Sequence, residues 1–172
     1  DVIAWFNSDT NMVTIDLSSL NENIQYYSNA KVTDMAGNIS DIKSSAGFKM
    51  DYTNPVAGQV SSGEPYQANT TSKNLNWSGF SDAQSGINHY EYSLGKQPNS
   101  GDLITRVNVG LSESVTINDL DLENNETYYS TIYAVDKIGN AIYSKIKSGN
   151  KCKKLHYEDK EGVGTNSTPT TI

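Results

Sequence analysis

Cysteine and histidine are nearly absent from this chain of 172 residues. Cys152 is the only cysteine, and His89 and His156 are the only histidines. A single cysteine cannot form an internal disulfide, and these residues are too few to supply the four ligands of a Cys/His zinc site. The sequence therefore excludes a disulfide framework and a Cys/His metal centre within this chain.

Positive charge is also scarce. The chain has 13 Lys and Arg residues against 20 Asp and Glu residues, a net charge of -7 and a pI near 4.7. Nucleic acids and anionic membrane surfaces attract basic proteins, so both are disfavoured as partners. No apolar run is long enough to span a bilayer. We expect no nucleic acid partner and no membrane insertion in this segment.

Recognisable catalytic motifs are missing as well. The sequence has no phosphate-binding loop, no HExxH helix and no nucleophile elbow. Glycoside hydrolysis needs two carboxylates across a sugar-binding cleft, and the sequence indicates no cleft. His89 and Glu91 are predicted on the outward face of one strand, where such neighbours are usually solvated. We therefore predict that the protein is not an enzyme.

The chain does contain an internal repeat. The segment from Val13 to Asn38 recurs from Val115 to Asn140, at a constant offset of 102 positions and without a gap. This length is close to the roughly 100 residues of an immunoglobulin-like sandwich and far above the roughly 20 to 50 of solenoid repeats. Whole domains are therefore the expected repeating unit. The matches include Val13/Val115, Ile15/Ile117, Leu20/Leu122, Tyr26/Tyr128, Asp34/Asp136, Gly37/Gly139 and Asn38/Asn140.

The offset also predicts the domain boundaries. Asp1 corresponds to Leu103, which lies well inside the second copy. We therefore expect residues 1–53 to be the C-terminal half of one module, residues 54–154 to be a complete module, and residues 155–172 to be a polar tail or linker.

Alternating apolar residues predict that the complete module is all-β. Leu75 and Trp77 alternate with polar neighbours, as do Tyr90, Tyr92 and Leu94, which is the period of a half-buried strand. Further strands are predicted near Pro55–Val60, at Leu103–Val109, around Val115–Ile117, at Thr127–Val135 and at Ala141–Lys147. Lys137–Asn140 is predicted to be a hairpin turn, since Gly139 accepts a positive φ.

The stretch LENNETYYSTIYAV from Leu122 to Val135 resembles the fibronectin type III signature. The resemblance implies a fibronectin type III or immunoglobulin-like β-sandwich, with Tyr128 at the tyrosine-corner position and, through the repeat, Tyr26 in the first copy. Leu75 and Trp77 look like the family's core pair on the second strand. The D-x-x-G-N turns that contain Gly37 and Gly139 resemble turns of tandem modules in microbial surface proteins.

The resemblance implies a noncatalytic structural or adhesive module, outside the cell or at its surface. A half module would expose its inner face, including Val13, Ile15, Leu20 and Tyr26. Three sources could supply the strands that bury this face: the rest of a longer polypeptide, the tail of this chain, or another subunit. Strands donated by another subunit would build fibres. We expect protein partners at sheet edges or neighbouring modules.

An alternative function is a spacer or carbohydrate-binding module attached to a secreted polysaccharide-degrading enzyme. Outward aromatic residues would then stack on sugars, although such residues more often cover a sheet face. The candidates are Trp5, Tyr27, Tyr129 and Tyr133.

Asp34 and Asp136 are the candidate calcium ligands, because calcium takes hard oxygen donors from loops. The favoured interpretation is instead that each Asp accepts hydrogen bonds from its own turn backbone, since calcium requires six or more oxygens. No other cofactor is expected. The sequence alone does not place Asp82, Asp119 or Asp121 at the same loop end. Five Asn-x-Ser/Thr triplets occur, and the candidate glycosylation sites among them are Asn166, Asn69 and Asn125. Chance explains such triplets better in a chain rich in Asn, Ser and Thr.

Overall fold

The computed structural model describes residues 3–145 and 150–152, and every element in them is a strand, a bridge or a turn. The predicted all-β class is confirmed. The strands are β1 (Asn29–Ala30), β2 (Lys43–Ser44), β3 (Gln59–Ser61), β4 (Tyr66–Gln67), β5 (Lys73–Ser78), β6 (Ile87–Gly95), β7 (Ile104–Asn108), β8 (Ser114–Ile117), β9 (Thr127–Asp136), β10 (Ala141–Lys145) and β11 (Asn150–Cys152).

Two sheets are built from residues after Val56. β3, β5 and β8 form an antiparallel sheet with β5 in the centre, and β7, β6, β9 and β10 form a second antiparallel sheet in that order. The short β11 pairs with the start of β9 and with β4. β5 alternates strictly between buried and exposed residues, as expected for a strand with one face on a core.

One hydrophobic core lies between these two sheets. It joins Leu75 and Trp77 of the first sheet to Tyr90, Tyr92 and Ile132 of the second. The indole of Trp77 meets the ring of Tyr90 edge to face, with centroids 5.8 Å apart, a geometry that aromatic pairs favour. Two sheets that bury their inner faces against each other have the layering of a β-sandwich, and residues 56–145 are called the sandwich below.

A tyrosine hydroxyl closes the same corner in both copies of the repeat. In the sandwich, the amide of Glu123 donates to the Tyr128 hydroxyl at 2.9 Å, and in the first copy the amide of Asn21 donates to the Tyr26 hydroxyl at 2.9 Å. Both hydrogen bonds span five residues and lie at equivalent positions of the repeat. The corner is therefore a local structure that forms in both contexts.

Residues 3–50, called the first segment below, contain much less regular structure. Val13–Ile15 repeat Val115–Ile117, yet they lie in no strand, whereas their counterparts belong to β8. Val13 and Ile15 are exposed as predicted, but Leu20 is only 5% exposed, so its predicted exposure was wrong. Leu20 lies in the corner that Tyr26 closes, and this corner forms without the rest of a module.

Strand pairing in the first segment departs from the register of the sandwich. Thr131 lies opposite Lys145 in the sandwich, so the repeat predicts Asn29 opposite Lys43. Asn29 instead lies opposite Ser44. Near the turn the register agrees, because Thr33 pairs with Ile39 as Val135 pairs with Ala141. Register is weakly specified where no face is buried, and a one-residue slip exchanges the two faces.

No helix in the described part of the chain is long and apolar enough to cross a membrane.

Candidate functional site

Residues 51–55 are the linker between the first segment and the sandwich, and hydrogen bonds from both units hold this linker. Glu22 of the first segment accepts from the amide of Tyr52 and, at 3.0 Å, from the Thr53 hydroxyl. On the sandwich side, the side-chain nitrogen of Asn140 donates to the backbone carbonyls of Asp51 and Thr53 at 3.3 and 3.4 Å. The linker backbone is therefore tied to both structural units.

Two further contacts complete this arrangement. The amide of Ser85 donates to the carboxylate of Asp51 at 3.1 Å, and the side-chain amide of Gln84 donates to the Thr53 hydroxyl at 3.3 Å. We call Asp51–Thr53, together with Glu22, Gln84, Ser85 and Asn140, the joint.

Asp136 organises the turn from which Asn140 reaches the linker. Its Oδ1 accepts the amides of Ile138, Gly139 and Asn140 at 2.6 to 2.9 Å, and its Oδ2 accepts the Asn140 side chain at 2.8 Å. Burial pushes the pKa of Asp136 upward, but the donors from Asn140, Gly139 and Ile138 outweigh it and lower the pKa below its usual value. Gly139 has a φ of 106°, where a Cβ would be strained.

Asp34 organises the equivalent turn of the first segment. Its carboxylate accepts the amides of Ala36 and Asn38 at 2.9 and 2.8 Å and the Asn38 side chain at 2.8 Å. The hydrogen bonds from Asn38 lower the pKa of Asp34. Gly37 has a φ of 88°, matching Gly139. Both turns thus contain the Asp-to-backbone hydrogen bonds that the sequence favours over calcium ligation.

Three carboxylates nevertheless lie close together beside the joint. One oxygen each of Asp51, Asp82 and Asp136 lies within 4.8 Å of the other two. Oxygen donors of this kind suit Ca²⁺, which takes six to eight of them at about 2.3 to 2.6 Å. Each of the three carboxylates already accepts at least one backbone amide. The two sequence candidates are not brought together, since Asp34 belongs to no such cluster among the described residues.

The outward face of the four-stranded sheet carries a row of polar and aromatic side chains. His89 Nε2 lies 3.2 Å from a Glu91 oxygen, and the Arg106 side chain bonds the other oxygen of Glu91. The guanidinium of Arg106 also lies over the Tyr133 ring, 4.2 Å from its centroid, and Tyr143 flanks that ring at 6.0 Å. His89 and Glu91 are thus paired, where the sequence predicted two solvated side chains.

The remaining aromatic and glycosylation candidates are scattered. Trp5 and Tyr27 of the first segment are exposed, and the Lys31 ammonium lies 5.1 Å from the Trp5 ring centroid. Asn69 and Asn125 are exposed in loops. The Asn69 side-chain nitrogen, which would carry a glycan, donates to Ser72 at 2.7 Å. Asn166 lies outside the described residues, as does the predicted tail.

Sequence patterns missed most of the joint. Glu22 corresponds to Asn124 and Asp51 to Lys153 at the 102-residue offset, so the repeat did not single them out. One signal was available: each D-x-x-G-N turn ends in an Asn with a second amide hydrogen to donate. In the sandwich, that donor reaches the linker.

No protein-family model matches the chain, and a search among curated proteins finds no match.

Proposed function

We propose that this chain is a noncatalytic structural part of an extracellular or cell-surface protein, built from tandem fibronectin type III-like β-sandwich modules. In this proposal residues 1–53 belong to one module and residues 54–154 to the next. The joint holds the two modules at a fixed angle. The tandem modules thus act as a semi-rigid spacer, which presents or anchors neighbouring parts of the protein.

The joint is the observation that carries this proposal. Interdomain linkers are flexible by default unless specific contacts restrain them. Here Glu22 bonds the linker from one side, while Asn140 and Ser85 bond it from the other. Pro55, which is buried, restricts the backbone just after these contacts. Hydrogen bonds from both units to three consecutive residues restrain the orientation of the units.

The repeat and the two corners support the tandem arrangement. Tyr26 and Tyr128 make the same hydrogen bond to an amide five residues earlier. Asp34 and Asp136 organise the same turn. Equivalent structures at one offset are expected if both segments are copies of one module type.

Carbohydrate binding, as part of a secreted polysaccharide-degrading enzyme, is the second candidate. Tyr143 favours it, because this residue is 48% exposed and stands beside Tyr133 on the open sheet face. The Arg106 guanidinium covers one face of Tyr133, however, which leaves less ring surface for a sugar. Affinity electrophoresis in gels containing soluble polysaccharides separates the two functions, because a spacer migrates unretarded and a binding module is slowed.

Pulsed electron paramagnetic resonance tests the spacer proposal. Spin labels at Met35→Cys and Leu111→Cys, in a Cys152→Ser background, report the distance between the first segment and the sandwich. We expect a narrow distance distribution, and a broad one after Glu22→Ala removes the hydrogen bonds to the linker. Glu126→Gln, an exposed acid away from the joint, is the matched control. Equally broad distributions in the parent and in Glu22→Ala would refute a rigid joint.

A further inference from the structure

Two apolar side chains of the first segment, those of Val13 and Ile15, face solvent, although their counterparts in the sandwich are buried or packed against its core. Ile117 is 5% exposed in the core, whereas its counterpart Ile15 is 40% exposed. Val13 is exposed as well, although its counterpart Val115 packs against the core. The same side chains thus lack the sheet that covers them in the sandwich.

The backbone of the first segment lacks pairing partners at the equivalent places. β8 of the sandwich pairs with β5, and β9 pairs with β6 along almost its whole length. Val13–Ile15, the counterpart of part of β8, lies in no strand. The counterpart of β9, residues 25–34, contains only the two residues of β1 and isolated bridges. Both missing partners, β5 and β6, belong to residues 50–102.

The turn at Asp34 is preformed but open on the side where the sandwich receives its linker. Asn38 makes the same internal bonds as Asn140. Asn140 also donates to two linker carbonyls. Asp136 is 1% exposed, whereas Asp34 is exposed. A linker with carbonyls at the positions of Asp51 and Thr53 would fit the open side of this turn.

We propose that residues 13–38 are an acceptor surface for a front half of the same module type. Its occupant is a segment with the strand pattern of residues 50–102, namely a linker, a strand with alternating Leu and Trp, and a strand with alternating Tyr and Leu. The inference deepens the tandem-module function proposed above and rests on it.

Copies of this chain cannot supply the occupant without loss. Residues 1–172 contain one front half, residues 50–102, but two segments that need one, residues 13–38 and residues 115–140. A front half moved to another copy leaves its own sandwich core uncovered, so exchange between copies gains no burial. A separate front half would have the same unpaired strands and would also lose translational freedom on binding. The occupant therefore belongs to the same polypeptide as the acceptor surface.

A fusion tests the proposal. A second copy of residues 50–102 is placed directly before Asp1, which preserves the 102-residue spacing of the repeat. We expect hydrogen exchange at the amides of residues 27–33 to slow by about 100-fold, because a cooperative sheet protects amides that local opening exposes. The matched control carries Leu75→Asp in the added copy only, and we expect it to leave these amides unprotected. Equal exchange in the fusion and its control would overturn the acceptor surface.

Two further measurements keep the test decisive. In the first, the added segment is supplied as a separate peptide at equimolar concentration, and we expect no protection of the amides of residues 27–33. Protection as strong as in the fusion would overturn the assignment to the same polypeptide.

In the second, Leu75→Asp in the parent chain is expected to reduce protection of residues 129–135 to that of residues 27–33. Retained protection there would show that the strand needs no front half. The spin-label distance is independent of both readouts, so failure here is distinguishable from failure of the rigid joint.

Discussion

The pair Ile15 and Ile117 allows one substitution to be made twice, in the same local sequence but in different surroundings. Ile117→Ala removes three carbon atoms from a side chain that is 5% exposed in the core. At about 0.8 kcal/mol per carbon the lost burial is about 2.4 kcal/mol, and the residual cavity raises the cost to about 3 kcal/mol. Ile15 is 40% exposed, and Ile15→Ala should cost less than about 0.5 kcal/mol.

Urea unfolding monitored by far-ultraviolet circular dichroism measures both costs, because the backbone signal comes from the first segment as well as from the sandwich. With a slope of about 1 to 1.5 kcal/mol per molar urea, Ile117→Ala should lower the midpoint by about 2 to 3 M. Ile15→Ala should leave the midpoint nearly unchanged. Similar losses for the two variants would refute the reasoning, because they would mean that both isoleucines are packed in equivalent cores.

Three other predictions concern hydrogen bonds and charge. Tyr128→Phe removes the acceptor for the Glu123 amide and should cost about 1 kcal/mol by urea unfolding, whereas Tyr26→Phe should leave the sandwich transition unchanged. The pKa of Asp136 is lowered in the folded protein, so the ionised carboxylate stabilises the fold fully above the unfolded pKa near 3.9, and this stabilisation is lost as the pH falls through the folded pKa. The stability difference between the parent and Asp136→Asn should therefore shrink below about pH 4. A constant difference would contradict this. The clustered carboxylates of Asp51, Asp82 and Asp136 already accept backbone amides, so millimolar Ca²⁺ should raise the thermal midpoint no more than Mg²⁺ does. A Ca²⁺-specific rise that Asp82→Asn abolishes would instead assign a calcium site.

Local patterns predicted the sandwich strands well because each strand carries its own signal. The alternation of Leu75 with Trp77 and of Tyr90 with Tyr92 and Leu94 reflects one buried face. The structure places β5 and β6 at these positions. The hairpin turn at Lys137–Asn140 follows from Asp136 and Gly139, because the Gly139 amide donates to the Asp136 carboxylate within the turn itself.

The joint and the first segment were less predictable because their structure depends on distant partners. Val13–Ile15 have the strand-forming sequence of β8, but a strand requires a neighbour that the first segment does not supply. Glu22 bonds residues 30 or more positions away, and Asn140 bonds residues 87 and 89 positions away. Such contacts follow from the relative placement of two units, which no local pattern encodes.

Hydrogen exchange on the unmodified chain tests most directly whether the two copies of the repeat differ only in having or lacking a partner sheet. The comparison is between the amides of residues 129–135 in β9 and those of residues 27–33. We predict that protection in β9 approaches the global stability of the sandwich, while most amides of residues 27–33 exchange almost as fast as in an unfolded chain. Equal protection of the two sets would contradict the account, because the first segment would then already be a complete and stable sheet.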